Sequence, residues 1–364
     1  LHHSPRPSRI STMHIQNTEL CTGRQVRVGQ GGIVSKIEVI QVGVGGMGQT
    51  WLRTVAASEE VEYVAWVDVD EQVLEEKCQA YDFSPQHCYT SLQEALESEE
   101  ADGLINVTPP QYHRAVSCAA LDAGLHVLSE KPLADSMESA VDIVECAEEA
   151  GVILMVAQNY RHRDLTATLR ETLASGRYGA PGQIQVNFFK GPHFGGFREE
   201  MDYPLIIDMS IHHFDMMRYI LDADPKTVSG YSWNPQWSWF AGDASACLFF
   251  TFEKELSVVY NGSWCSTGTQ TSWNGDWRIE CDQGVILSRD DKVYAGKTES
   301  PLERVESKGA MRSNQAYLLH EFYQAVTEGP LPATHGQDNL KSLGMVFGAV
   351  EAVRTGKVIN LQAG

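Results

Sequence analysis

From Ile37 onward, short β-branched runs alternate with segments whose apolar residues recur every three or four positions. IEVIQVG (37–43) predicts a strand, GMGQTWLRTVAAS (46–58) a helix and VEYVAWVD (61–68) a second strand. The rhythm continues with helices near 71–80 and 91–98, a strand at 103–108, a helix through 110–123, a strand at 126–131, an amphipathic helix at 136–150 and a strand at 152–158. Alternation of this kind builds βαβ units, hence an α/β, doubly wound parallel sheet with helices on both faces.

After about residue 160 the rhythm breaks. Helices are predicted at 163–175 and 205–222, flanking a strand at 183–190. Consecutive strand-like segments follow at 227–233, 244–253, 256–265, 277–281 and 284–288, with turn signals at Asn261-Gly262, Asn274-Gly275 and Asp282–Gly284. Two helices (313–328 and 337–354) and a strand (358–360) close the chain. The expected organisation is a disordered extension over 1–36, a dinucleotide-binding domain over 37–160, and an α+β domain over 161–364 with a large open, mostly antiparallel sheet. The final helix and strand are expected to pack back towards the first domain.

Charge narrows the choice of partner. Among 364 residues, 28 Lys and Arg stand against 48 Asp and Glu, a net charge of −20. Residues 1–36 carry five basic groups and one acidic, so the acidity belongs to the patterned part of the chain. Nucleic acid and anionic membrane surfaces are thereby disfavoured, because both need clustered Lys and Arg. Phosphates of a small cofactor are not excluded, since backbone N–H groups can hold them. The eight cysteines are scattered without metal spacing, so no metal site is expected and reduced thiols in a cytoplasmic protein are.

Gly43-Val44-Gly45-Gly46-Met47-Gly48 is a GxGxxG motif that closes a predicted strand and opens a predicted helix. That context makes it a Rossmann phosphate cradle: the first glycine permits the turn, the second lets a pyrophosphate approach, and the third lets helix and strand pack closely. Asp68 ends the next strand, 25 residues after Gly43, where a carboxylate accepts from ribose hydroxyls and repels a 2′-phosphate. NAD is the expected cofactor. Lys131, in Glu130-Lys131-Pro132, stands at the end of a parallel strand and so faces the ligand crevice. Asp208 and His212 are spaced i,i+4 in a predicted helix, which would let the carboxylate orient the imidazole.

GVGGMG (43–48), NVTPPQYH (106–113), SEKP (129–132) and DMSIHHFD (208–215), in this order and spacing, resemble the Gfo/Idh/MocA oxidoreductases. The resemblance runs from about residue 37 to the C-terminus. It implies that Lys131, Asp208 and His212 line the active site and that Thr108, Pro109 and His113 lie on the cofactor side with Glu130. It also implies that the Asn159-Tyr160-Arg161 segment faces substrate through Tyr160 and Arg161. The family commonly has glycines just before the aspartate, whereas this chain has Asp202-Tyr203-Pro204-Leu205, so Tyr203 is expected to narrow the pocket entrance. The Gly-rich loop from Lys190 to Arg198 makes His193 a further substrate-side candidate, since a His and an Arg there would suit hydroxyl or carboxylate recognition, although the same composition fits an ordinary exposed loop.

The expected activity is hydride transfer between NAD and a secondary alcohol of a sugar, inositol or glycoside. His212 would be the base, Asp208 its orienter, and Lys131 the donor to the alcohol oxygen. Six of the eight tryptophans fall between 233 and 277, and indoles suit sugar faces as well as sheet cores or interfaces. An NAD-retaining glycosidase or lyase acting through transient oxidation, and a non-catalytic NAD-binding regulator, are the alternatives. Family likeness implies a homodimer or homotetramer.

Overall fold

In the computed structural model the described residues are 36–307, 309 and 314–362. The extension expected over 1–36 therefore lies outside them, except for Lys36, whose ammonium stands 3.4 Å from Glu62.

The first unit runs β1 (Ile37–Val42), α1 (Gly48–Ala56), β2 (Val61–Val67), α2 (Glu71–Tyr81), β3 (Cys88–Tyr89), α3 (Leu92–Ser98), β4 (Gly103–Asn106), α4 (Pro110–Asp122), β5 (His126–Ser129), α5 (Met137–Ala150) and β6 (Leu154–Val156). Its six strands are all parallel, in the order β3-β2-β1-β4-β5-β6. Every residue of β4 and β5 is buried, which is why neither shows an alternation of apolar and polar positions. Local chemistry sets the helix boundaries: the Asp70 carboxylate accepts from the N–H groups of Gln72 and Val73, and Ser136 caps α5, which ends at Gly151 in the left-handed region. At two residues, β3 is too short to leave a periodic signal, and it was not anticipated. Strand order reverses between β1 and β4, so the crevice for a dinucleotide opens beyond their carboxyl ends.

The second unit continues with α6 (Asp164–Ala174), β7 (Pro181–Phe189), α7 (Ser210–Leu221), β8 (Pro225–Trp233), β9 (Ser245–Phe252), β10 (Ser257–Ser263), β11 (Asp276–Cys281), β12 (Gly284–Arg289), β13 (Lys292–Lys297) and β14 (Glu303–Val305). Then come α8 (Asn314–Glu328), α9 (Gly336–Thr355) and β15 (Ile359–Asn360). These strands form a nine-stranded sheet, β14-β13-β12-β11-β7-β10-β9-β8-β15, antiparallel except where β7 meets β10. β13 and β14, which the pattern did not predict, extend it beyond the strand expected at 284–288. The Asn261-Gly262 pair is no turn: it lies inside β10 opposite Cys247 and Ala246.

The closing elements are shared out differently from expectation. Leu318, Leu319 and Phe322 of α8 pack with Trp51 and Val55 of α1 on the face formed by Ile37, Ile105, Leu128 and Met155, so α8 covers the first sheet. α9 starts against β6, where Gly336 lies beside Leu154, and runs on to β8. β15 does not return to the first sheet; it pairs with β8 at the edge of the second.

Cys118 of α4 and Cys146 of α5 are joined as a disulfide, with their Cα atoms 5.7 Å apart, which corrects the expectation of uniformly reduced thiols. The two helices lie side by side, a contact that cysteine spacing along the chain does not reveal. Among the described residues no helix is long and apolar enough to cross a membrane, and no group of three His, Cys, Asp or Glu side chains is arranged to hold a metal.

Candidate active site

At the carboxyl end of β1 the glycines divide two jobs. Gly43 has φ +91°, and a Cβ there would come within 2.7 Å of Val107 O; a Cβ on Gly48 would strike Gly43 O at 2.3 Å. Those two glycines are demanded by the turn and by close backbone packing. Cβ atoms on Gly45 and Gly46 would meet nothing within 4 Å. The first turn of α1, whose cap position is Met47, has no side-chain cap. Open space over uncapped helix N–H groups fits a pyrophosphate, so these residues suit NAD. Asp68 braces the cradle as well: its carboxylate accepts from Val44 N–H at 2.9 Å and from Asp70 N–H at 3.2 Å.

The β4–α4 turn is braced from within. The Asn106 amide oxygen accepts from Thr108 N–H (3.2 Å) and from the Thr108 hydroxyl (2.7 Å), while its amino group donates to His113 O and Ser117 Oγ. Pro109 caps α4 in an extended conformation. His113 does not face a cofactor. It is 1% exposed, with its ring nitrogens 2.7 Å from Thr108 O and 2.9 Å from Pro132 O, so it ties this turn to the one carrying Lys131. Burial pushes its pKa down against the pull of those carbonyls. Glu130 is likewise turned inward: it accepts from Trp51 Nε1 at 2.8 Å and from Lys131 N–H at 3.1 Å, and burial raises its pKa.

The segment predicted as one helix over 205–222 begins with a wide π-helical turn, Leu205–Met209, before α7 starts at Ser210. The wider turn removes the i,i+4 register on which the Asp208–His212 pairing depended. Asp208 instead takes Lys131 Nζ on one carboxylate oxygen (3.3 Å) and Arg198 Nε on the other (2.7 Å), while Lys131 Nζ also reaches Asp208 O at 3.2 Å. Burial alone would raise the Asp208 pKa; Lys131 and Arg198 outweigh it and hold the carboxyl below its ordinary range.

His212 is oriented by two other groups. Its Nδ1 stands 3.1 Å from the Gln158 amide nitrogen, and its ring stacks on Tyr160 with centroids 4.0 Å apart. Burial, followed by the fields of Lys131 and Arg163, drives its pKa well below 6.5, so the imidazole is neutral. On the other face of Tyr160 lies the Arg163 guanidinium, 3.2 Å from the ring centroid, with NH1 donating to Asn274 Oδ1 at 2.8 Å. Lys131, Asp208, His212 and Tyr160 thus meet at one place, brought together from the turn after β5, the π turn, α7 and the turn after β6.

Three substrate-side candidates fall elsewhere. Arg161 is 5% exposed and its guanidinium is bonded to Asp215, Asp338 and Ala333 O, so it clamps the turn after β6 to α7 and α9 rather than facing substrate. His193 sits exposed on its loop, stacked on Trp239 at 3.8 Å. Tyr203 is half-buried against the main core. Of the clustered tryptophans, Trp264 and Trp277 are core residues, whereas Trp273 is part-exposed beneath Lys190 Nζ. Sequence reasoning missed Gln158 and Arg163, which border segments already singled out; Arg198, noted in the Gly-rich loop, meets Asp208 rather than standing beside His193.

Residues 37–158 match the profile described as the oxidoreductase family, NAD-binding Rossmann fold (GFO/IDH/MocA), and residues 166–287 match the GFO/IDH/MocA C-terminal domain. The chain is 28% identical to an uncharacterized protein, y4oX, of Sinorhizobium fredii, over 89% of this chain and 96% of that one. It is 25% identical to a 1,5-anhydro-D-fructose reductase of Ensifer adhaerens (76% and 84% covered) and 25% identical to a scyllo-inositol 2-dehydrogenase (NAD(+)) of Bacillus subtilis (74% and 80%). An Agrobacterium radiobacter oxidoreductase, solved with NAD+, L-tartaric acid and magnesium, superposes with a TM-score of 0.82 at 20% identity, over 90% of this chain and 99% of that one.

Proposed function

Because this chain belongs to the Gfo/Idh/MocA oxidoreductase family and is an NAD(P)-dependent oxidoreductase with NAD as its cofactor, we propose that it oxidises a secondary alcohol of a sugar or polyol. The inositol and anhydrofructose relatives support that substrate class. The observation that carries the reading is the convergence of a lysine ammonium and a neutral histidine beyond the carboxyl end of β5, on the crevice side of the glycine cradle.

Bound in that cradle, which Asp68 would complete by holding the adenosine ribose, NAD would supply the hydride acceptor. The protein's own part is positioning and proton movement. Lys131, anchored by Asp208, donates a hydrogen bond to the alcohol oxygen and stabilises negative charge developing there. His212 takes the hydroxyl proton through Nε2, which requires Nδ1 to carry its proton inward. The acceptor for that proton is available: the Gln158 amide oxygen is buried without a partner, and turning the amide over presents it to Nδ1. Gln158, not Asp208, is therefore the orienter of His212.

The test is a panel of inositols, aldoses and aryl glycosides with NAD+, followed by NADH absorbance. A polyol that yields NADH supports the reading, and His212→Ala should then lower kcat by about 10²–10⁴-fold with NAD affinity nearly unchanged. Glycoside cleavage without NADH would replace it with an NAD-retaining lyase or glycosidase. Full turnover in the alanine variant would remove His212 from the mechanism.

A further inference from the structure

The charge lining this site is opposite to that of the molecule. The chain carries −20 overall, yet among the described residues Lys131, Arg163 and Arg198 gather around the reacting position against the carboxylate of Asp208 and, behind Asn274, that of Asp291. Glu130, a further nearby acid, is turned away onto Trp51 and its own backbone neighbour. Lys190 adds a further cation at the rim, 5.3 Å from the Trp273 ring, beside the Asn274 that holds Arg163.

Both arginines also have unused donors. Arg198 engages Asp208 through Nε alone; its guanidinium lies 4.8 Å from the Phe197 ring and 5.4 Å from that of Phe194, and its side chain is 37% exposed. Among the described residues its two terminal amino groups have no hydrogen-bond partner. Arg163 donates NH1 to Asn274 and is otherwise held flat on Tyr160, so its NH2 is free in the same sense. Each fork is thus oriented by one bond and a ring face while retaining the geometry that binds a planar anion. A purely structural arginine is consumed by its partners, as Arg161 is by Asp215 and Asp338.

We propose that the substrate is an acidic sugar or polyol whose carboxylate is received by Arg163 and Arg198 while Lys131 and His212 hold the alcohol being oxidised. This rests on the dehydrogenase reading above and narrows its substrate from polyols in general to aldonic, uronic or aldaric acids. Arg163 and Arg198 are then specificity residues, separate from the proton-handling pair.

The experiment compares matched probes on the full chain with saturating NAD+: glucose, gluconate, glucuronate and glucose 6-phosphate, and the galactose series. NADH formation and binding, the latter by tryptophan fluorescence titration, are measured in parallel. Sugar acids are expected to exceed their neutral twins by roughly 10- to 100-fold in kcat/KM or in affinity, the factor a charge-assisted hydrogen bond carries. Arg163→Gln and Arg198→Gln should each cut the preference for the acid over its neutral twin by a similar factor, with NAD affinity moving far less, and Arg198→Lys should recover part of that preference. Equal or better use of the neutral sugars overturns the carboxylate assignment and leaves the dehydrogenase reading standing. Tight binding of the acids without NADH does the reverse. Preference for the phosphate, or no binding of any acid at tens of millimolar, also overturns the proposal.

Discussion

Two glycines three residues apart, Gly45 and Gly48, should respond in opposite ways to one added methyl group. A Cβ on Gly45 meets nothing within 4 Å and its backbone is not in the left-handed region, so Gly45→Ala should fold normally. The methyl would, however, occupy the space over the α1 N-terminus that a pyrophosphate must enter. Losing one or two charge-assisted N–H bonds of roughly 1.5–3 kcal/mol each weakens NAD by about 10-fold to well over 100-fold. A Cβ on Gly48 would lie 2.3 Å from Gly43 O and 3.2 Å from Gln41 Nε2, inside the β1–α1 contact. Overpacking of that kind costs about 1–3 kcal/mol, and the melting temperature without NAD should fall by several degrees at about 2–4 °C per kcal/mol. Thermal melts of both variants with and without NAD separate the cases, since NAD at 100 times its Kd stabilises by about 2.7 kcal/mol. Gly45→Ala should keep the unliganded melting temperature and lose the NAD-induced rise; Gly48→Ala should lower the unliganded value. A Gly45→Ala protein that retains the full NAD shift would refute the assignment of the cradle.

Other outcomes follow from the same geometry. Asp68→Ser combined with Val69→Arg should weaken NAD and bring in NADP, measured as the ratio of kcat/KM values, because the change removes a carboxylate and adds a cation at a solvent-exposed position; unchanged cofactor preference would separate Asp68 from selectivity. Asp215→Asn should destabilise the fold by about 3–5 kcal/mol in urea titrations, because it leaves the buried Arg161 guanidinium short of a counter-charge; a loss under 1 kcal/mol would show that Asp338 suffices. His213 is buried between Tyr260 Oη and Trp273 O, and burial lowers its pKa to about 4. The unfolded chain therefore binds its proton first, so stability is complete above about pH 6.5 and declines towards pH 4, by up to about 1.4 kcal/mol per unit for this one group. Denaturation midpoints at pH 7.5 and 5 check this, and His213→Gln should flatten the slope. An equal slope in that variant would assign the effect to the other buried histidines.

The first sheet was legible because its signals are local. Each βαβ unit declares itself within about 30 residues through apolar runs, Gly45 and its neighbours, and caps such as Asp70 and Ser136. Short strands at sheet edges were not legible: β3 is two residues and β14 three, and neither holds enough positions to display a period. In the site, Lys131 was placed correctly at a strand end, but His113, Glu130 and Arg161 were given ligand-facing roles that their burial excludes.

The chain by itself determined that a parallel sheet opens on a glycine cradle with an acid at the next strand end, since those features depend on backbone conformation and on neighbours a few residues away. Only tertiary structure decided the partners of the candidate catalytic groups. Gln158 reaches His212 across 54 residues and Lys131 reaches Asp208 across 77, after a π turn that no simple spacing announces has rotated Asp208 off the histidine's face. The physical reason is that a side chain's charge and hydrogen bonds are settled by whatever the fold packs within about 3 Å of it, and at a crevice between two sheets those atoms come from distant parts of the chain.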